Sequence, residues 1–179
     1  DAHILLNLPD DGKNILGYDV ADSGSDKNAT THRKGIVTYW TDEWSGKEDE
    51  LLKSCTRVHH KARELGATVI YDSIGVGAGC GAKFNELNQT NKCSVKHAKF
   101  NAGAAVVKPE ALYERAAGIK NKDFFTNLKS QSWWCVADRF RLTYQVVNAI
   151  KNGETPPPYQ LDELISISSK CPNLEKLKM

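Results

Sequence analysis

Hydrophobic and polar positions fall in short strand-length runs along the first part of the chain and shift to a helical period afterwards. Ile15 to Ala21 is a continuous apolar run. Asn28 to Arg33 and Ile36 to Trp44 read as two further strands, the second alternating Val37, Tyr39 and Thr41 on one face. Lys34-Gly35 supplies a hairpin turn between them, and the short polar connection from Asp22 to Lys27 makes the three an antiparallel meander. From Lys47 to Leu65, apolar residues recur at Leu51, Cys55, Val58, Ala62 and Leu65, which predicts an amphipathic helix with Ser45 as its N-cap and Gly66 at its stop.

Thr68 to Ile74 comes next, and a strand after a covering helix lies parallel to an earlier strand. Ala82 to Leu87 predicts a short helix, Ser94 to Phe100 a short strand, and Asn101 to Lys120, with little periodicity, a loop. A long helix begins near Asn121. Phe125, Leu128, Val136, Phe140, Val147 and Ile150 form its core stripe, Trp133 and Trp134 broaden it, and Gly153 with Pro156-Pro157-Pro158 ends it. Leu161 to Ile167 and Asn173 to Lys178 are short, weakly patterned segments. Three strands, a helix, a parallel strand and further helix is the element order of a ribonuclease H-like domain. The expected class is therefore α/β, a mixed sheet of an antiparallel three-strand meander plus parallel strands, flanked by helices. In that order the first strand is central and the strand after the first helix lies beside it.

Composition narrows the function more than the fold. The 179 residues suit one domain with a proper core, and the longest apolar runs are of strand length, which excludes a membrane span or secretory segment. Twenty-four basic residues against 22 acidic ones leave a net charge of +2, so any nucleic-acid-binding face has to be local. Cys55, Cys80, Cys93, Cys135 and Cys171 are odd in number and contain no Cys-x-x-Cys, which points to reduced thiols rather than a disulfide or zinc framework. The one methionine is Met179 and the sequence begins at Asp1, so residues 1–179 read as a single domain taken from a longer chain.

The chemistry is concentrated in two aspartates. Asp19, in Ile15-Leu16-Gly17-Tyr18-Asp19-Val20-Ala21, and Asp72, in Thr68-Val69-Ile70-Tyr71-Asp72-Ser73-Ile74, each lie in a strand-like run and each precede a glycine-rich turn. A carboxylate there lowers β-propensity and, if unpaired and buried, costs several kcal/mol of desolvation that a cation would offset. On adjacent strands the pair would form a divalent-metal site, the donor set that two-metal phosphodiester hydrolysis requires. Asp22 and Asp26 lie just beyond the first strand; turn aspartates usually bond their own backbone, and Asp22 is kept as an additional candidate ligand.

Two rival readings share these residues. Gly75-x-Gly77-x-Gly79-x-Gly81 after a strand resembles a dinucleotide fingerprint, but its spacing differs and a strand aspartate is foreign to that motif; a tight turn that lets substrate backbone or metal approach the Asp72 carboxylate closely accounts for it better. Gly17-x-Asp19 and then Gly24 also fits loosely an actin or sugar-kinase phosphate hairpin, a fold that needs a second domain. Among the cations, Lys99, Lys122, Lys129 and Arg139 are the candidate DNA contacts, against the alternative of a solvated surface. His59-His60 reads as a helix surface pair, since adjacent helical residues do not face one another.

With these residues in hand, the chain resembles the C-terminal nuclease domain of the large terminase subunit of tailed bacteriophages, the headful DNA-packaging motor. The resemblance is carried by Gly17-Tyr18-Asp19-Val20-Ala21-Asp22-Ser23-Gly24-Ser25-Asp26-Lys27, by Tyr71-Asp72-Ser73-Ile74-Gly75-Val76-Gly77-Ala78-Gly79 and by Asn127-Leu128-Lys129-Ser130-Gln131-Ser132-Trp133-Trp134. It implies an endonuclease that cuts double-stranded concatemeric viral DNA during packaging with Mg2+ or Mn2+ in a two-metal site. Asp19 and Asp72 match the family's first and second catalytic aspartates. It also implies an N-terminal packaging ATPase domain in the same polypeptide, a portal protein and small terminase subunit as partners, and the cytoplasm of the infected bacterial host as the place of action. No Walker-type Gly-x-x-x-x-Gly-Lys-Ser/Thr is present, so this stretch is expected not to hydrolyse ATP. The family's third aspartate sits in a C-terminal helix; Pro172-Asn173-Leu174-Glu175-Lys176 only echoes that segment, and the third acid is expected beyond Met179. Asp138 and Asp162 do not match its position. A non-cutting scaffold that binds DNA or the portal is the alternative function.

Overall fold

A computed structural model describes residues 1–21, 26–46, 50–172 and 174. It divides into two compact units, Asp1–Phe100 with Ser166–Met179, and Asn101–Ile165. No helix among the described residues is long and apolar enough to cross a membrane.

The first unit is built on a six-stranded sheet. Its strands are β1 (Asn14–Asp19), β2 (Lys27–Lys34), β3 (Val37–Ser45), β4 (Thr68–Asp72), β5 (His97–Phe100) and β6 (Ser166–Ile167), ordered β5-β4-β1-β2-β3-β6. β1, β2 and β3 form the antiparallel meander that their spacing predicts, while β4 lies parallel to β1, β5 parallel to β4 and β6 parallel to β3. The mixed ribonuclease H-like sheet is thus observed, with β1 inside it. A short helix, α1 (Ala2–Leu5), precedes the sheet, and the terminal ammonium of Asp1 donates to the Ile167 carbonyl at 3.2 Å.

Strand alternation places the core. Leu16 and Tyr18 of β1 and Val69 and Tyr71 of β4 point to one face, where α2 (Leu51–Leu65) contributes Cys55, Val58 and Ala62 and α3 (Cys80–Thr90) contributes Cys80 and Phe84. Full burial of residues such as Leu16, Val69 and Phe84 stabilises the unit by about 1.5–3 kcal/mol each. α2 ends where Gly66 adopts φ +61°, its N–H bonded to Arg63 O and the next N–H to Ala62 O.

Several boundaries differ from the sequence reading, each for a physical reason. Ser45 does not cap α2: it ends β3, paired with Lys27, and the helix starts at Leu51. β4 stops at Asp72, because Gly75 at φ +60° turns the chain into a 3-10 turn, Gly75–Gly79, that runs into α3. Leu161 to Ile167 becomes a 3-10 turn at Leu161–Glu163 and the edge strand β6, while 173 and 175–178 of the last predicted segment lie outside the described residues. His59 is no surface residue; it is fully buried and its Nε2 lies 2.9 Å from Asn88 Oδ1, while His60 is exposed.

In the second unit the expected long helix is broken. Phe125–Asn127 separates α4 (Asn121–Phe124) from α5 (Leu128–Lys151), and α5 opens on a capping box in which the Asn127 side chain accepts from Ser130 N while Ser130 Oγ accepts from Asn127 N. The predicted core stripe holds only in part: Phe125 is buried and Leu128 and Val147 are half-buried, but the other members are exposed. α5 buries Thr143, Val146 and Ala149, and exposes Trp133 (66%), Val136, Phe140 (47%) and Ile150. Trp134 touches the edge of a cluster of Tyr113, Phe124 and Phe125 rather than entering a core.

Two glycines in the first unit separate backbone strain from steric collision. Gly66 has open space around a would-be Cβ, so Gly66→Ala is expected to cost only the left-handed penalty of about 1–2 kcal/mol. At Gly35, φ +54°, a Cβ would lie 1.9 Å from the Asp11 carbonyl oxygen, so Gly35→Ala is expected to lose more stability than Gly66→Ala in urea unfolding. Equal losses would contradict this.

Candidate functional site

The register of the two central parallel strands decides where the carboxylates lie. β1 and β4 pair Ile15 with Thr68, Leu16 with Val69, Gly17 with Ile70 and Tyr18 with Tyr71, so the next step sets Asp19 beside Asp72, the last residue of each strand. Tyr18 and Tyr71 point into the core with α2 and α3, so the alternation of strands turns Asp19 and Asp72 together to the opposite face. Asp19 is exposed and Asp72 half-buried, and no ion pair among the described residues takes up either carboxylate.

Asp72 is fixed by the turn immediately after it. Its Oδ1 accepts from Ile74 N at 3.0 Å, an Asx turn that orients the carboxylate and leaves Oδ2 available. Ser73 N and Ser73 Oγ both donate to the Phe100 carbonyl, prolonging the β4–β5 ladder by one residue. The chain then folds back on itself. A Cβ at Gly77 would lie 1.9 Å from the Asp72 carbonyl oxygen and 3.4 Å from Val20 Cγ2. At Gly77 the close approach is that of the loop to the backbone of Asp72.

The other predicted residues are distributed unevenly. Asp22 lies outside the described residues, and Asp26 is exposed, its carbonyl accepting from Gly46 N. Lys99 pairs with Tyr71 in the β4–β5 register, so alternation sends it to the helix-covered face and not to that of Asp72. The remaining three cations belong to the second unit. Lys122 shares Glu110 with Lys120, both at 2.7 Å, and Arg139 donates to the Leu164 carbonyl at 3.2 Å, whereas Lys129 is exposed. Asp138 is engaged by Arg115 at 2.8 Å, Arg141 at 3.0 Å and the Tyr113 hydroxyl at 2.9 Å, and Asp162 is exposed on its 3-10 turn. No group of three or more histidine, cysteine or acidic residues that could hold a metal occurs among the described residues.

A polar cluster beneath β1 escaped the sequence reading. The inward positions of β2 are Asn28, Thr30 and His32, all buried, where an apolar row would be expected. Asn28 Oδ1 accepts from the Tyr18 hydroxyl at 2.9 Å and from Ala21 N at 3.2 Å; Ser54 Oγ of α2 accepts from Trp44 Nε1 at 2.9 Å and lies 3.5 Å from Asn28 Nδ2. Burial, and after it the neighbouring Cys55 and Cys80 thiols, pushes the Tyr18 hydroxyl far above its ordinary range, so it stays a donor. The available signal was the period-two spacing of three polar residues on one face of a strand.

No protein-family model matches the chain, and no curated protein matches it. Solved structures do. The nuclease domain of the large terminase subunit gp2 of bacterial virus Sf6 aligns with a TM-score of 0.78 at 26% sequence identity, covering 95% of this chain and 69% of the other. A variant of gp2 with calcium aligns with a TM-score of 0.79 at 25% identity, covering 99% and 73%. A variant of that nuclease domain with manganese and β-thujaplicinol aligns with a TM-score of 0.80 at 24% identity, again covering 99% and 73%.

The contact at Gly77 gives a test of how Asp72 is held. Gly77→Ala is expected to destabilise the chain by about 2–4 kcal/mol, in the range of strained or overpacked sites, whereas Gly79→Ala, whose Cβ would meet only Leu51 Cδ2 at 3.7 Å, stays within about 0.5 kcal/mol. Thermal or urea unfolding of the two variants side by side checks the difference.

Proposed function

The chain has the fold of the nuclease domain of a bacteriophage large terminase subunit, and from that premise we propose that it is a metal-dependent endonuclease domain that cleaves double-stranded concatemeric viral DNA during genome packaging. The observation that carries the reading is the adjacency of Asp19 and Asp72 at the ends of β1 and β4. The donor set fits hard divalent cations: two carboxylates on one face of the sheet, neither committed to an ion pair among the described residues, one oriented through a single oxygen by its own turn.

Asp19 and Asp72 would hold Mg2+ or Mn2+ between them, with Asp22 as an additional ligand and the third family acid supplied beyond Met179. When bound, a metal pair lowers the pKa of a coordinated water and neutralises charge on the leaving oxygen. The Asx turn at Asp72 and the packing of Gly77 against it hold one carboxylate, and strand pairing holds the other. No side chain acts as nucleophile; water would attack phosphorus, an ester oxygen would leave, and the proton lost by the water would end on that oxygen as the new hydroxyl. Asp19 is exposed, so its carboxylate is reachable from solvent. Lys129, exposed and in no ion pair among the described residues, would meet a phosphate directly, whereas Lys122 would first have to exchange Glu110.

In this reading the domain follows a packaging ATPase domain in the same polypeptide and itself hydrolyses no ATP. It meets the portal protein and small terminase subunit, and works in the cytoplasm of the infected host. The alternative function is a non-cutting scaffold that binds DNA or the portal. Plasmid nicking in Mn2+ separates the two. The nuclease reading expects Asp19→Asn and Asp72→Asn to lose more than about 100-fold in cleavage, beyond the 10–100-fold typical of changes outside the ligand set, with folding retained, and EDTA to abolish it. Unchanged cleavage in both variants would remove the metal assignment. Inactivity of this chain and of a version extended at its C-terminus would leave the scaffold.

A further inference from the structure

We propose that Asn28 is a positioning residue for Asp19, an inference that rests on the metal-site reading above and adds to it the group that sets the geometry of one carboxylate. Asn28 is 2% exposed at the head of β2. An unbonded amide buried there would cost about 1–3 kcal/mol, so its presence needs partners. Its Nδ2 reaches Ser54 Oγ of α2 at 3.5 Å, but both partners of its oxygen lie on the chain around Asp19. Oδ1 takes the Tyr18 hydroxyl at 2.9 Å and the Ala21 N–H at 3.2 Å, the residue before Asp19 and the second residue after it. Because a backbone N–H can only donate, the atom facing Ala21 has to be the carbonyl oxygen, and this fixes the orientation of the amide.

One oxygen thus holds the chain on both sides of Asp19, where the pairing with β4 has ended and Asp19 keeps its partner Ala29 on β2. The grip is itself braced. Tyr18 stacks on Trp44 with ring centroids 6.0 Å apart and planes 14° apart, Trp44 donates to Ser54 of α2, and a Cβ at Gly46 would come within 2.7 Å of Ala21 Cβ and 3.2 Å of Asn28 Nδ2. Asn28 is buried with Tyr18 on the face opposite to the Asp19 carboxylate; it acts by holding the backbone that aims that carboxylate away from the core. This is the arrangement in which a supporting hydrogen bond tunes a ligand that it does not replace.

The test is a Mn2+ titration monitored by water-proton relaxation, on the whole chain, beside thermal unfolding. Asn28→Ala orphans the Tyr18 hydroxyl and Ala21 N–H, and is expected to weaken Mn2+ binding by about tenfold, the lower end of the range for second-layer changes. Asn28→Asp retains an acceptor oxygen at the same distance and is expected to bind within about threefold of wild type. The structural control is Asn88→Ala, which removes from α3 an equally bonded amide that meets Val95 and His59; it is expected to lower thermal stability and leave Mn2+ affinity unchanged. If Asn28→Ala does not fold, Asn28→Ser is read in its place. Wild-type affinity in a folded Asn28→Ala or Asn28→Ser overturns the inference and leaves the metal site standing, and equal weakening in Asn88→Ala overturns it as a general stability effect. Absence of Mn2+ binding both by the wild-type chain and by the version extended at its C-terminus, with Asp19→Asn giving the same trace in each, overturns the metal reading and this inference together.

Discussion

The parallel pairing of β1 with β4 is the constraint on which the rest of the molecule depends. One step of slippage in that register would turn either aspartate into the core and a tyrosine out of it, so burial of Leu16, Tyr18, Val69 and Tyr71 and presentation of Asp19 and Asp72 are the same structural fact. The helices α2 and α3 enforce it. They cover one face only, and the crossover through α2 is what allows two strands far apart in sequence to run parallel and end level.

Around this pair the structure supports the two carboxylates differently. Asp72 is held locally, by its own Asx turn and by a glycine that lets the next loop close on its carbonyl. Asp19 is held at a distance, through an amide on the neighbouring strand whose bonds bracket it. Neither device uses a cation, which leaves both carboxylates with lone pairs to offer and fits a fold whose solved neighbours include forms with manganese and with calcium.

Much of this was legible in the sequence because the signals are periodic. Strand-length runs marked β1 to β4, with alternation in β3, the three-and-four spacing of Leu51 to Leu65 marked α2, and a carboxylate in each of two strands marked the pair that the register sets side by side. Where the reading failed, the cause is also physical. A helical period counts apolar residues without showing which face has a partner, so α5 was assigned a buried stripe through Phe140 that the structure leaves at the surface. Asn28, at the start of a strand, reads as solvent-facing unless Thr30 and His32 are seen on the same face. Lys99 is close to Asp72 in the sheet yet points away from it, since proximity of strands does not fix side-chain face, which depends on register.

The account stands on Asp19 and Asp72 jointly holding a divalent cation, and paramagnetic broadening of backbone amide signals by Mn2+ tests that most directly. Substoichiometric Mn2+ should selectively erase the amide signals of residues flanking both aspartates, Tyr18, Val20, Ser73 and Ile74, and Asp19→Asn should restore them. Uniform broadening, or loss centred on residues of the second unit such as Asp138 and Asp162, would contradict it.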